Sequence, residues 1–186
     1  MIRQLAFGIV AVVCCVYAMP VDVNLADCPP PNGTDKVMHW WQCSNGPVQA
    51  LDVQPYDQTG TNYEYPIHLG TPMIMKVKIS NPSATYTSPN LLKTVNIWKY
   101  GGWGGCSWSS VPTFGLLKNV DACSNGVPCP IVPNQQEVDV TLDFTQFGQI
   151  ISLLKDNQPY QLEYLLHDKA SGDNFCITAQ AWAFIK

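Results

Sequence analysis

Cysteine is the residue type whose number in this sequence most clearly indicates a chemistry. The chain has eight cysteines, and Cys14 and Cys15 lie in an apolar N-terminal stretch. The other six are Cys28, Cys43, Cys106, Cys123, Cys129 and Cys176. An even number in an exported chain indicates three disulfides, and six cysteines allow fifteen connectivities. Zinc binding is the alternative, but the sequence contains no Cys-x-x-Cys pair. Disulfides are therefore the favoured interpretation.

Residues that could act in catalysis are scattered. The three histidines, His39, His68 and His167, are far apart in the sequence, and isolated histidines are usually surface residues. Asp139 and Asp143 are an even number of residues apart on a predicted strand, where a solvated face is a better explanation than a glycosidase pair. The sequence has no nucleophile elbow, zinc-protease helix or phosphate-binding loop. We expect no enzyme activity, no catalytic residues, no metal site and no cofactor.

The N-terminus has the pattern of a secretory signal peptide. Arg3 precedes an apolar run over 5–16 that is too short to span a bilayer, and Val16-Tyr17-Ala18 offers small or modest-sized residues before a cleavage point after Ala18. We place the signal peptide at 1–18 and an irregular, Pro- and Asp-rich arm at 19–36. Asn32 begins the sequon Asn-Gly-Thr and is the predicted glycosylation site. The expected location is extracellular, or the lysosomal lumen.

The charge of the chain argues against nucleic acid as a partner. Charged residues make up 13% of the sequence and the net charge is −4, whereas about 25% charged residues is usual. The lysines and arginines form no cluster that would attract a phosphate backbone or an anionic membrane.

Alternation of apolar and polar residues predicts β-strands through most of residues 37–186. Period-two runs occur at 63–69, 73–80, 137–144 and 161–167, and the run at 175–184 is apolar or small on both faces. Asn-Pro, Gly-Gly and Asn-Gly turn signals separate them. This pattern predicts an all-β, two-sheet antiparallel sandwich of about seven to nine strands.

Two segments carry less clear patterns. In 123–129, Asn125-Gly126 favours a tight hairpin turn that would bring Cys123 and Cys129 close enough to bond. Residues 147–155 are compatible with either a short helix or a loop.

Three features in order resemble one known family. They are Trp41-Gln42-Cys43 in the first strand, Cys-x5-Cys-Pro-Ile at 123–131, and the lone Cys176 in the last strand. Together with the β pattern, the set is similar to the ML, or lipid-recognition, domain family over residues 37–186. Ser88-Pro89-Asn90 and the long excursion to Cys106 resemble the ganglioside activator proteins of that family.

The resemblance implies a fold, a pairing and a function. The fold would be an immunoglobulin-like sandwich with an apolar cavity. The disulfides would be Cys43–Cys176 and Cys123–Cys129, which leaves Cys28 and Cys106 to pair with each other. The function would be to hold the acyl chains of a glycolipid or phospholipid, a fatty acid or a sterol. The protein would present this lipid to a membrane, enzyme or receptor.

Residues predicted to face the interior are the candidate lipid-binding residues. They are Met73, Met75, Val77, Ile79, Val95, Ile97, Val138, Val140, Leu142, Phe144, Leu162, Tyr164 and Leu166. A second set of aromatic and aliphatic residues is the predicted cavity rim and membrane contact. Its members are Trp98, Trp103, Trp108, Phe114, Phe147, Ile150 and Ile151.

The alternation alone does not distinguish a cavity from a filled core, because any packed sandwich requires alternating apolar residues. The alternative function is a secreted interaction module, effector-like or allergen-like, that has a closed core and acts through its outer surface.

Overall fold

The computed structural model describes residues 28–82, 84–102 and 105–186. The predicted signal peptide and the predicted rim residue Trp103 lie outside these residues. The described chain consists almost entirely of β-strands arranged in two sheets. All strand pairs except one are antiparallel, so the predicted all-β antiparallel sandwich is confirmed.

The larger sheet has seven strands in the central order β1-β10-β9-β5-β6. The short strands β3 and β7 pair with β10 and β5, respectively, and β3–β10 is the parallel pair. The strands are β1 (His39–Gln42), β3 (Ile67–His68), β5 (Leu91–Tyr100), β6 (Trp108–Val111), β7 (Val120–Asp121), β9 (Gln158–Asp168) and β10 (Asn174–Phe184).

The smaller sheet has three strands in the order β2-β4-β8. They are β2 (Gln49–Tyr56), β4 (Met73–Asn81) and β8 (Asn134–Leu142). Alternate residues of β4, from Met73 to Ile79, are buried. On the outer face, the Lys76 ammonium lies 3.1 Å from Asp139 and 3.4 Å from Glu137. The period-two pattern of the sequence therefore separates core from solvent as expected.

Asp139 and Asp143 do not share a strand face. Strand β8 ends at Leu142, and Asp143 accepts hydrogen bonds from the backbone and hydroxyl of Thr145 in the following turn. Asp139 pairs with Lys76. The carboxylates have separate structural roles.

One end of the space between the sheets is filled by the segment after β8. A one-turn helix, α1 (Gly148–Ile151), forms part of the 147–155 segment that the sequence left undecided. Ile150 is fully buried, and Leu154 and Tyr160 join it in the core. The Tyr160 hydroxyl donates to the Lys155 carbonyl and accepts from the Lys155 amide, both at 2.7 Å. This end of the sandwich is a packed core.

The predicted strand at 63–69 is wrong over most of its length. Only Ile67–His68 form a strand, beside β10. Pro66 cannot donate a backbone hydrogen bond, and the Tyr65 side chain is used to anchor other segments. Its hydroxyl donates to the Thr34 carbonyl and accepts from the Trp182 amide.

Within the part of the chain that the structure describes there are three disulfides: Cys28–Cys106, Cys43–Cys176 and Cys123–Cys129. This is the pairing that the family resemblance implied. Cys43–Cys176 joins the residue after β1 to β10, within the larger sheet, and Cys28–Cys106 ties the N-terminal arm to the loop after β5. No cysteine lies in β2, β4 or β8, so no bridge joins strands of the two sheets to one another.

The predicted hairpin at 123–129 is wrong. Cys123–Asn125 form a single 3-10 turn, and only Gly126 has a positive φ, of 97°. The loop lies along β8, where the Thr141 amide donates to the Gly126 carbonyl at 2.8 Å. Gly126, with this positive φ, is the C-terminal cap of the 3-10 turn.

Gly126→Ala is expected to destabilise the protein by at least about 2 kcal/mol, since it combines backbone strain with a steric clash. A Cβ at this position would lie 2.2 Å from the Thr141 carbonyl oxygen. Gly115→Ala is the matched control, because Gly115 also has a positive φ but no atom within 4 Å of its Cβ position. Urea denaturation should show the larger loss for Gly126→Ala; equal losses would contradict the close approach.

Candidate functional site

An apolar cavity of about 90 Å³ lies between the two sheets. Strands β2, β4 and β8 provide one wall, and β9, β10 and the first residue of β5 the other. The charged or amide side chains in the lining belong to Asp168, Asp173 and Asn174, and the remaining lining residues are apolar or tyrosine. Such a surface offers few polar partners for water and suits a hydrocarbon ligand.

Nine of the thirteen candidate lipid-binding residues line this cavity. They are Met75, Val77, Ile79, Val138, Val140, Leu142, Leu162, Tyr164 and Leu166. The other four, Met73, Val95, Ile97 and Phe144, are buried but do not contribute to its wall. These four pack in the hydrophobic core instead, and their role in lipid binding stays a prediction.

Several lining residues were missed by the sequence analysis. They come from loops and from strands whose inward face was not assigned: Val48, Val53, Tyr86, Leu91, Val127, Ile131, Phe175, Ile177 and Ala179. In β10 most residues on both faces are apolar or small, so the sequence did not indicate which face points inward. Val127 and Ile131 flank Cys129, where the signal for a cavity wall would have been the apolar residues around the small disulfide loop.

The cavity has a polar end at the turn between β9 and β10. Asp168, Asp173 and Asn174 lie there, and Asn174 is exposed. The Tyr86 hydroxyl donates to Asp173 at 3.0 Å, which connects the loop before β5 to this turn. Burial and the adjacent Asp173 carboxylate raise the pKa of Tyr86 to about 12, so Tyr86 remains neutral and keeps this hydrogen bond at neutral pH.

A second polar feature lies on the inner face of β5 and β9. Lys93 is only 9% exposed, and its ammonium lies 5.9 Å from the centre of the Tyr164 ring. The ammonium donates to the Asn125 carbonyl in the small disulfide loop. Burial lowers the pKa of Lys93 and raises that of Tyr164. The Tyr164 hydroxyl is buried and makes no hydrogen bond to any residue that the structure describes.

The residues predicted to form the cavity rim do not line the cavity. None of Trp98, Trp108, Phe114, Phe147, Ile150 and Ile151 lines it. Ile150 is fully buried, while Phe147 and Ile151 pack against the core, so the segment closes the sandwich.

The other rim residues lie on outer surfaces. The Trp108 ring contacts Tyr100 across the β5–β6 pair at 5.0 Å between centroids. Phe114 is 62% exposed in the loop after β6. Contact of this loop with a bilayer stays a prediction. Within the described residues, no helix is both long and apolar enough to cross a membrane.

Two further polar sites can be placed. Cys43, Glu163 and Cys176 bring possible ligand atoms within 4.8 Å, but both sulfurs are in a disulfide and are not thiolate ligands. Asn32 is exposed, and its amide nitrogen donates to Gln180 at 2.7 Å. Glycosylation of Asn32 stays a prediction.

Comparison with known proteins finds a similarity in structure but none in sequence. No family model matches the chain, and no curated protein matches it in sequence. Among solved structures, the chain is similar to a Niemann-Pick type C2 protein from Japanese carpenter ant, with 14% sequence identity and a TM-score of 0.44. The alignment covers 78% of this chain and 98% of that one.

Proposed function

We propose that this protein binds a lipid between its two sheets, and that it is a secreted member of the ML family. The observation that carries the proposal is the apolar cavity, whose walls come from both sheets. The ordered cysteines, their three disulfides and the two-sheet sandwich support the family assignment. Disulfides are typical of oxidising compartments outside the cytosol.

The cavity must enlarge to hold an acyl chain. Its volume of about 90 Å³ is below the roughly 300–1,000 Å³ of typical ligand pockets. Each methylene transferred from water contributes about 0.8 kcal/mol, so a ten-carbon chain gains up to about 8 kcal/mol. Part of that gain offsets the cost of opening the space.

Two features allow the enlargement. No disulfide joins strands of the two sheets to one another, so the sheets can separate without breaking a covalent bond. Met75 lines the wall, and methionine side chains change rotamer easily and adapt to irregular apolar surfaces. The bound state would thus have a wider inter-sheet space than the structure described above.

We propose further that the protein transfers the lipid that it binds. A carrier of this kind would extract its lipid from a membrane and pass it to an enzyme, a receptor or a second membrane, in the extracellular space or the lysosome. The likeness of residues 88–106 to the ganglioside activators stays a prediction.

Calorimetric titration of the mature protein with decanoate, 1-decanol and decylammonium tests the proposal. We expect saturable binding of at least one of these at one molecule per chain, with a negative heat-capacity change that reports buried apolar surface. No saturable binding of any of the three would contradict lipid binding.

A closed-core interaction module is the second candidate, and the small volume of the cavity favours it. Such a protein would act through exposed side chains, such as Phe114 and Leu116 after β6. It would bind none of the three amphiphiles between its sheets, so the same titration distinguishes the two functions.

A further inference from the structure

Three tyrosines project into the space between the sheets, and their hydroxyl groups differ in one respect. The Tyr160 hydroxyl is hydrogen-bonded to both backbone groups of Lys155, and the Tyr86 hydroxyl is bonded to Asp173. The Tyr164 hydroxyl is also buried, although the residue as a whole is only half-buried, and it has no partner among the described residues. A buried donor without a partner is costly in a folded protein. Tyr164 lines the cavity, which is where a ligand could provide that partner.

Lys93 provides a positive charge near the Tyr164 ring, although Lys93 itself is not one of the residues that line the cavity. It pairs across β5 and β9 with Leu166, which lines the cavity, and its ammonium faces the Tyr164 ring. Lys93 forms no ion pair with the residues that the structure describes. Its one hydrogen bond, to the Asn125 carbonyl, uses one of the three donors of an ammonium group.

The nearest carboxylate along β9 is already engaged elsewhere. Asp168 pairs with Leu91, two residues from Lys93, and its side chain accepts hydrogen bonds from the amide and hydroxyl of Ser171 at 2.8 and 3.0 Å. Together with Asp173, it makes the turn end of the cavity negative. A ligand anion is therefore disfavoured at that turn and favoured beside Lys93.

We infer that the cavity selects single-chain amphiphiles with a compact anionic head, such as a fatty-acid carboxylate, held by the Tyr164 hydroxyl and the Lys93 ammonium. The inference rests on the proposed function, because it names the ligand class for the same cavity. The phenol donates to one carboxylate oxygen, and the ammonium neutralises the charge. A carboxylate needs little room, as the small cavity requires.

The small disulfide loop has a role in this arrangement. Cys123–Cys129 closes the loop around Asn125, whose carbonyl fixes the Lys93 ammonium, while Val127 from the same loop forms part of the cavity wall. The loop thus positions both the charge and the adjacent apolar surface. Asn125 and Cys123 act through Lys93 and are positioning residues.

The inference is tested by the order of affinities for three ten-carbon probes at pH 7. We expect decanoate to bind at least tenfold more tightly than 1-decanol because of Lys93, and any binding of decylammonium to depend on the acidic turn and to be unaffected by loss of the Tyr164 hydroxyl. Equal dissociation constants for decanoate and 1-decanol would overturn the inference and leave lipid binding standing. Binding of none of the three would overturn both.

Two variants assign the selectivity to the two groups. Lys93→Met should bring the affinity for decanoate to within about twofold of that for 1-decanol. Tyr164→Phe, the more conservative change, should weaken decanoate binding about five- to tenfold. Tyr160→Phe is the control, because that hydroxyl already has both its partners in Lys155 and Tyr160 does not line the cavity; it should keep the preference for decanoate. An unchanged preference in both Lys93→Met and Tyr164→Phe would overturn the inference.

Discussion

Val77→Phe is expected to weaken decanoate binding roughly fiftyfold. Val77 is in the middle of β4, faces the cavity and pairs with Val53 and Val138 in the neighbouring strands. A phenyl ring here occupies space that the ligand needs. If it displaces roughly three methylenes at about 0.8 kcal/mol each, the loss is about 2.4 kcal/mol, which corresponds to that factor. Calorimetric titration measures it.

Ile74→Phe is the matched control for this substitution. Ile74 lies on the same strand but is an odd number of residues from Val77, so its side chain points to the outer face. Decanoate affinity should stay within about twofold of the wild type. Equal binding by Val77→Phe and the wild type, with both proteins folded, would place the ligand outside the inter-sheet space.

Removing the Cys43–Cys176 disulfide, by Cys43→Ser with Cys176→Ser, should have the largest effect on stability. The two cysteines are 133 residues apart, and a loop of that size restricts the unfolded chain by about 5 kcal/mol in the chain-entropy description. Such a loss is comparable to the whole stability of many domains. The midpoint of urea unfolding should fall sharply.

Cys123→Ser with Cys129→Ser is the control for the size of the loop. Its cysteines are only six residues apart, so the same description gives about 2 kcal/mol. A loss as large as that of the Cys43–Cys176 variant would show that native contacts of the small loop, such as that of Asn125 with Lys93, dominate over chain entropy.

The strands were predictable wherever one face of the chain is polar. In β4, β8 and β9, alternation determines which residues face inward, because a strand places successive side chains on opposite faces. It failed at 63–69, where Pro66 interrupts the hydrogen-bonding pattern and Tyr65 is engaged with the N-terminal arm and β10. Tertiary contacts of that kind leave no periodic signal.

The cavity was less predictable than the sheets that enclose it. Met73 and Met75 are both buried on the same face of β4, yet only Met75 lines the cavity. The difference depends on what covers each end of the sandwich. Ile150 and Tyr160 fill one end, and the sequence pattern around them does not show that they do so.

The polar pair in the interior did have a signal in the sequence. Leu91, Lys93, Val95 and Ile97 alternate along β5 and share the inner face, so a lysine occupies a core position. A charged residue in an apolar alternation is costly unless it has a function or a partner. The hydroxyl of Tyr164 could not be assigned in this way, because many buried tyrosines find a backbone partner, as Tyr160 does.

Nuclear Overhauser effects between decanoate and the methyl groups of the protein test the central claim most directly. If the ligand lies between the sheets, its chain protons should show contacts to Met75, Val77, Val138 and Leu162, which line the two walls. The outward Ile74 should show none. Contacts confined to exposed methyl groups such as those of Leu116, with no contact to the cavity residues, would contradict the account.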